Sequence, residues 1–187
     1  KRRPILRNQL VRARGVWRRF QYLGLLLGKK EERKIAEEAM PGLRNFARGS
    51  CSIEAEMRAV FSKYTDSVSY AGMPISFESA CFFWSLCEAL EPRRILDMGS
   101  GFSSFVFRRY QSDARVRPEV WSVDESPEWL DKTREFLRAH GLSEDNMYPW
   151  DEFQPLEPGK FDLISHDLGL MHDRPDILEM LLELRTD

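Results

Sequence analysis

Two carboxylates and a glycine pair are the residues of this sequence best placed to do chemistry. Asp97 sits at the end of an apolar run, and Gly99 and Gly101 follow at once, in ILDMGSGFSSFVF. Asp124 ends a second apolar run, EVWSVD, 27 residues after Asp97. A third polar group, HDLGLMHD from His166 to Asp173, follows the run FDLIS. Glycines let backbone approach a ligand closely. A helix that starts beside them offers free N–H groups and a positive dipole end to an anion.

The acid decides which anion. Asp97 would repel a dinucleotide pyrophosphate placed on that turn. The third glycine of G-x-G-x-x-G should fall at position 104, where Ser104 stands. A P-loop needs Gly-Lys-Ser/Thr, and that triplet is absent. A ligand with both a carboxylate and an ammonium suits the turn better, since its anion takes backbone N–H groups and its cation faces the acid. The methionine part of S-adenosylmethionine has both charges and no phosphate. Asp124 then stands where a carboxylate can accept two hydrogen bonds from ribose hydroxyls, with Glu125 as the alternative if the strand ends one residue later.

The elements that must position these groups alternate. Residues 94–98 read as a buried strand, 103–110 as a helix and 119–124 as a second strand. Ser126 caps a helix that runs through Ala139, with Pro127 at its first position and Gly141 beyond its end. Trp129, Thr133, Phe136 and Leu137 share its inner face. A short strand is expected near Asn146–Trp150, another at Lys160–Asp167, and a last helix over residues 175–185. Upstream, Ile53, Met57, Val60, Phe61 and Tyr64 form one helical face and read as core. A turn-rich stretch runs from Tyr64 to Ser76. Ser76 then caps a helix, residues 77–90, apolar almost all round and expected to be buried, with Pro92 as its stop. The pattern predicts an α/β fold, Rossmann-like and doubly wound, with a mainly parallel sheet, helices on both faces and an N-terminal helical extension.

Charge divides the chain. Residues 1–34 hold twelve Lys/Arg and two Glu, a net charge of +10, against −12 for the remainder. We therefore expect a basic helical arm over residues 1–50 and a ligand-binding domain over 51–187. The arm is open to three readings: a solvated helix packing on the acidic body, a surface for nucleic acid or anionic membrane, or part of a targeting segment. Cys51, Cys81 and Cys87 form no CxxC pair and suit a reducing compartment, which points to a cytoplasmic location, with peripheral membrane association left open. The apolar run near Tyr22–Gly28 is too short to span a bilayer, and no secretory signal is evident.

In order, ILDMGSG, VWSVDESPEWL and FDLISHD resemble the first, second and fourth strand motifs of class I S-adenosylmethionine-dependent methyltransferases. MPISFESACFFWSLCEALEPRR is similar to the lead-in helix of small-molecule O-methyltransferases related to catechol methyltransferases. The resemblance covers roughly residues 73–185. It implies that Asp97, Gly99 and Gly101 line the methionine end, that Ser100 and Ser103 offer donors, and that Asp124 holds the ribose. It also implies that Asp151, in YPWDEF, faces the adenine amine, while Trp150 is open to stacking on adenine or to a core role. The family's sheet has seven strands, so the fifth to seventh are expected beyond Asp187. A truncated domain, a sheet completed by another chain and a reduced relative all remain open.

Methyl transfer is an in-line displacement, in which an enzyme aligns the nucleophile and removes its proton. His166 and Asp167 are the expected catalytic residues, with His172 able to approach from the loop. Two His-Asp pairs could also offer metal ligands, but related enzymes complete such sites from beyond this chain's end, and we assign no metal residues. The expected function is methylation of an oxygen on a small molecule or saccharide. The alternatives are a methyltransferase-like binding or scaffold module and an RNA-directed methyltransferase that uses the basic arm. A nicotinamide-dependent oxidoreductase is disfavoured by Asp97 and Ser104. Homo-oligomerisation is left open.

Overall fold

A computed structural model describes residues 51–69, 73–154, 156–169 and 174–186. The expected basic arm lies outside them, as do His172 and Asp173 of the third polar group. Six helices and four strands are described: α1 (Glu54–Ser67), α2 (Phe77–Leu90), β1 (Arg94–Met98), α3 (Phe102–Asp113), β2 (Glu119–Asp124), α4 (Pro127–Ala139), β3 (Met147–Pro149), α5 (Trp150–Phe153), β4 (Leu163–His166) and α6 (Arg174–Leu184).

The strands form a parallel sheet in the order β3-β2-β1-β4. The chain winds outward from β1 to β2 and β3, then returns to place β4 on the other side of β1. Strand order therefore reverses between β1 and β4, and crevices for ligands open at such a point beyond the carboxyl ends of the strands. The fold is the expected Rossmann-like α/β arrangement.

Alternation along β1 explains why its acid is buried. Ile95 belongs to the core formed with α1 to α4, whereas Leu96 and Met98 belong to the core against α5 and α6. Asp97 shares the parity of Ile95 and so points toward α3. In β2, Val120 packs in that same core, and Ser122 and Asp124 follow at the same parity. Phe102, Phe105 and Phe107 of α3 are all fully buried. Burying each such side chain contributes about 1.5–3 kcal/mol, which clamps α3 against the sheet.

Helix signals read from the sequence hold where they rest on caps. Ser76 Oγ accepts from Ser79 N at 3.0 Å, and Ser126 Oγ accepts from Trp129 N at 3.1 Å. Glu91 stops α2 in the left-handed region at φ 45°, just before Pro92. Other boundaries move. Helix α1 runs three residues past Tyr64, because Thr65 and Ser67 bond back to the carbonyls of Ser62 and Lys63 instead of breaking the helix. Helix α2 is less buried than its composition suggests: Ala80, Trp84, Leu86 and Cys87 are inside, while Leu90 is exposed. Trp150 does not extend β3. It opens the one-turn helix α5, where its ring stacks on Phe153 and both pack beneath the sheet. Strand β4 starts only at Leu163, because Phe161 pairs instead with Arg185 after α6.

Candidate functional site

A cavity of about 440 Å³ opens at the carboxyl ends of the strands, within the range of roughly 300–1,000 Å³ usual for small-molecule sites. Its floor is the turn from Gly99 to Ser103. Asp124, Ser126 and Trp129 line one side, Asp167 and Gly169 another, and Tyr64 of α1 and residues 73–75 before α2 close it. The cavity thus gathers the glycine turn, the acid that ends β2 and the acid that follows β4.

Asp124 is bound into the turn. Its Oδ2 accepts from Ser100 N at 2.8 Å and from Ser100 Oγ at 2.9 Å, and its Oδ1 accepts from Ser126 N at 2.9 Å. Trp129 Nε1 donates to Ser100 O at 2.8 Å. One residue of the glycine turn is therefore held by both β2 and α4. A carboxylate offers about four lone-pair directions, so Asp124 keeps accepting capacity toward the cavity.

Gly99 has a second reason to be glycine. Its φ is +102°, and a β carbon there would lie 2.9 Å from the Asp167 carbonyl carbon and 3.1 Å from Leu168 N. The turn after β1 and the loop after β4 touch at this point, where Asp167 N also donates to Met98 O at 2.6 Å. Gly101 has φ +151°, and a β carbon there would meet the Tyr64 hydroxyl at 3.2 Å.

Asp97 lies behind the floor, fully buried, and is not part of the cavity lining. Its Oδ2 accepts from Ser104 Oγ at 2.5 Å and Ser122 Oγ at 3.4 Å. Arg108, also buried, donates to Ser122 Oγ at 2.7 Å and to Asp145 O at 2.9 Å. Burial pushes the Asp97 carboxyl up to about 6, against the lowering effect of the surrounding serine hydroxyls, Ser104 first, and of the Arg108 charge. Burial likewise lowers Arg108 to about 10, against the charge of Asp97. Asp97 Oδ1 is buried and has no hydrogen-bond partner among the described residues.

The remaining candidate residues are spread around this centre. Ser100 and Ser103 line the cavity, with Ser103 Oγ donating to Gly99 O at 3.4 Å. Glu125 is exposed just past β2, and Asp151 is exposed on α5; neither lines the cavity. His166 is half-buried on β4, in register with Met98, and is not in the lining, whereas its neighbour Asp167 is. Among the described residues, no three His, Cys, Asp or Glu side chains gather as a metal site.

Sequence reasoning missed Tyr64, Trp129, Ser104 and Arg108 as parts of the site. Tyr64 and Trp129 read as core because each sits on an apolar helical stripe. Ser104 and Arg108 were detectable: four residues apart, they share one face of a helix rich in buried phenylalanine.

No family model matches the chain. The curated O-methyltransferase hkm8 of Aspergillus hancockii is 31% identical over 121 residues, which are 62% of this chain and 46% of that protein. The chain thus spans about half the length of the curated relative it matches. An O-methyltransferase from Bacillus cereus in complex with S-adenosylhomocysteine (SAH) superposes with a TM-score of 0.54 at 17% identity, over 71% of this chain and 62% of that one. The SAH-bound methyltransferase PaMTH1 of Podospora anserina superposes with a TM-score of 0.55 at 20% identity, over 83% of this chain and 65% of that one. At these identities the structural likenesses establish the fold.

Proposed function

We propose that this chain, which has the Rossmann-like fold of class I S-adenosylmethionine-dependent methyltransferases, binds S-adenosylmethionine and serves methyl transfer to an oxygen of a small-molecule acceptor. The observation that carries the reading is the cavity lining, which unites the Gly99–Ser103 turn, Asp124 and Asp167. The curated relative and the SAH-bound neighbours support the same cofactor and reaction class.

The residues fit the cofactor. The turn offers the first N–H groups of α3, which have no partner within the helix, to a carboxylate. Asp97 Oδ1 is an orphaned buried acceptor behind that turn, and it reaches an ammonium in the cavity through a bridging water in this reading. Asp124, with three of its acceptor directions filled by Ser100 and Ser126, is pre-oriented to receive a ribose hydroxyl on the remaining one. When bound, S-adenosylmethionine supplies an electrophilic methyl on a sulfonium sulfur. Asp167 is the group we assign to the acceptor: its carboxylate takes the hydroxyl proton as the oxygen attacks. His166, one residue earlier on β4, orients that loop in this reading. Glu125 and Asp151 are assigned to the adenosine end. The free cysteines support a cytoplasmic location in this reading. Among the described residues, no helix is long and apolar enough to cross a membrane.

Calorimetric titration with SAH, using NAD as the control, tests the cofactor. Micromolar binding of SAH alone is expected. Methyl transfer from S-adenosylmethionine to a panel of phenols and saccharides then tests the reaction. Absence of SAH binding would overturn the reading and favour a non-catalytic scaffold.

A further inference from the structure

One polar atom of the cavity has no use in the fold. The Tyr64 side chain is fully buried and lines the cavity, yet its hydroxyl has no hydrogen-bond partner among the described residues. Its ring is fixed by packing against Phe102 at 5.3 Å and Phe136 at 4.8 Å between centroids. A buried hydroxyl left unpaired costs about 1–3 kcal/mol, so packing alone would favour phenylalanine. The hydroxyl stands over Gly101, where even a methyl group would come within 3.2 Å of it. Gly101 is the residue before α3, so the hydroxyl and the first N–H groups of that twelve-residue helix converge.

Charge says what they converge on. Among the described residues, the lining contains no Lys, Arg or His, and it contains two acids, Asp124 and Asp167. An anion can be held there only by neutral donors. Trp129 Nε1 is committed to Ser100 O, Ser100 Oγ to Asp124 and Ser103 Oγ to Gly99 O, while Ser126 Oγ caps α4 by accepting from Trp129 N. Tyr64 is the buried donor of the lining that has no hydrogen-bond partner among the described residues. Burial, and after it the nearby charges of Asp124 and Asp97, push the phenol well above its usual range. The hydroxyl therefore keeps its proton at neutral pH, donates, and is unsuited to serve as a base.

We infer that the Tyr64 hydroxyl and the start of α3 form a carboxylate subsite, which grips the amino-acid end of the cofactor and selects for ligands that carry a carboxylate. This rests on the cofactor reading above. It gives α1, an element outside the strand motifs, a direct part in recognition.

The test compares SAH with S-adenosyl-3-thiopropylamine, the analogue that keeps the ammonium and lacks the carboxylate. Tyr64→Phe should weaken SAH binding about tenfold or more and leave the analogue's affinity unchanged. Its melting temperature should hold or rise, since an unpaired buried hydroxyl is removed. Equal losses for both ligands, or no loss for either, would overturn the subsite. As a second readout in the unmodified protein, the Tyr64 ring resonances should shift on adding SAH and not on adding the analogue; equal shifts would also overturn it. Failure of the unmodified protein to bind SAH at all would defeat the cofactor reading first, and the subsite with it.

Discussion

Asp124 and Ser100 are joined twice, through the Ser100 backbone N–H at 2.8 Å and its hydroxyl at 2.9 Å. The acid that ends β2 is thereby a structural support of the turn that ends β1, as well as the group assigned to the ribose. Positioning and binding converge on one carboxylate.

Asp124→Ala should therefore damage two things. Ser100 N and Ser126 N lose their acceptor, and the ribose loses its partner. SAH affinity should fall by on the order of 1–3 kcal/mol, read by calorimetry. Unchanged affinity would place the ligand elsewhere.

Two glycines with positive φ separate strain from crowding. At Gly141, φ is +67° and a β carbon would meet nothing within 4 Å, so Gly141→Ala should cost only the left-handed backbone strain of about 1–2 kcal/mol. At Gly99 the strain is joined by a clash with Asp167 backbone. Gly99→Ala should lower the melting temperature further and weaken SAH binding, because the β4 loop must retreat from the cavity. Equal losses at the two sites would refute the close approach.

Arg108 and Asp97 are two buried charges beneath the floor, linked through the Ser122 hydroxyl, which accepts from Arg108 and donates to Asp97. Arg108→Met strands the carboxylate and should destabilise by about 3–5 kcal/mol. Adding Asp97→Asn should recover part of that loss, since the uncompensated charge is gone. Urea unfolding of the two single variants and the double variant measures the coupling; simple additivity would show that the charges do not interact.

The pH dependence of Asp97 has a definite sign. Its carboxyl is raised from 3.8 to about 6 in the folded protein, so the folded state binds the proton more tightly than the unfolded state. This group's contribution to stability is fully present below pH ~4. It is lost as pH rises toward 6, by about 3 kcal/mol in total. Glu56, held below the usual carboxylate range by its hydrogen bond from Arg109, acts in the opposite direction. The comparison is therefore between the unmodified protein and Asp97→Asn at each pH. The variant should gain on the parent between pH 4 and 6; a constant difference would refute the shift.

Asp167→Asn should leave SAH affinity within about threefold and reduce methyl transfer by roughly 100-fold or more, the usual worth of a positioned base. Transfer at the parent rate would remove Asp167 from the chemistry and turn attention to His166.

Local signals made most of the fold legible. The caps at Ser76 and Ser126, the Pro92 stop and the three apolar runs before Asp97, Asp124 and Asp167 each depend on neighbours in the chain. The motif acids and glycines were equally visible, because close backbone approach demands glycine and strand ends demand polar groups. Tertiary structure alone decided what those residues touch. Parity on β1 turned Asp97 away from the open cavity and toward Arg108. The return of β4 to the far side of β1 brought Asp167 against Gly99, a contact across 68 positions that no local pattern encodes. Packing of α1 against α3 changed Tyr64 from one apolar residue in a helical stripe into the unpaired donor above Gly101. Periodicity reports which face of an element is buried. Which polar atom on that face is left without a partner depends on long-range packing, and that is where the proposed carboxylate subsite was found.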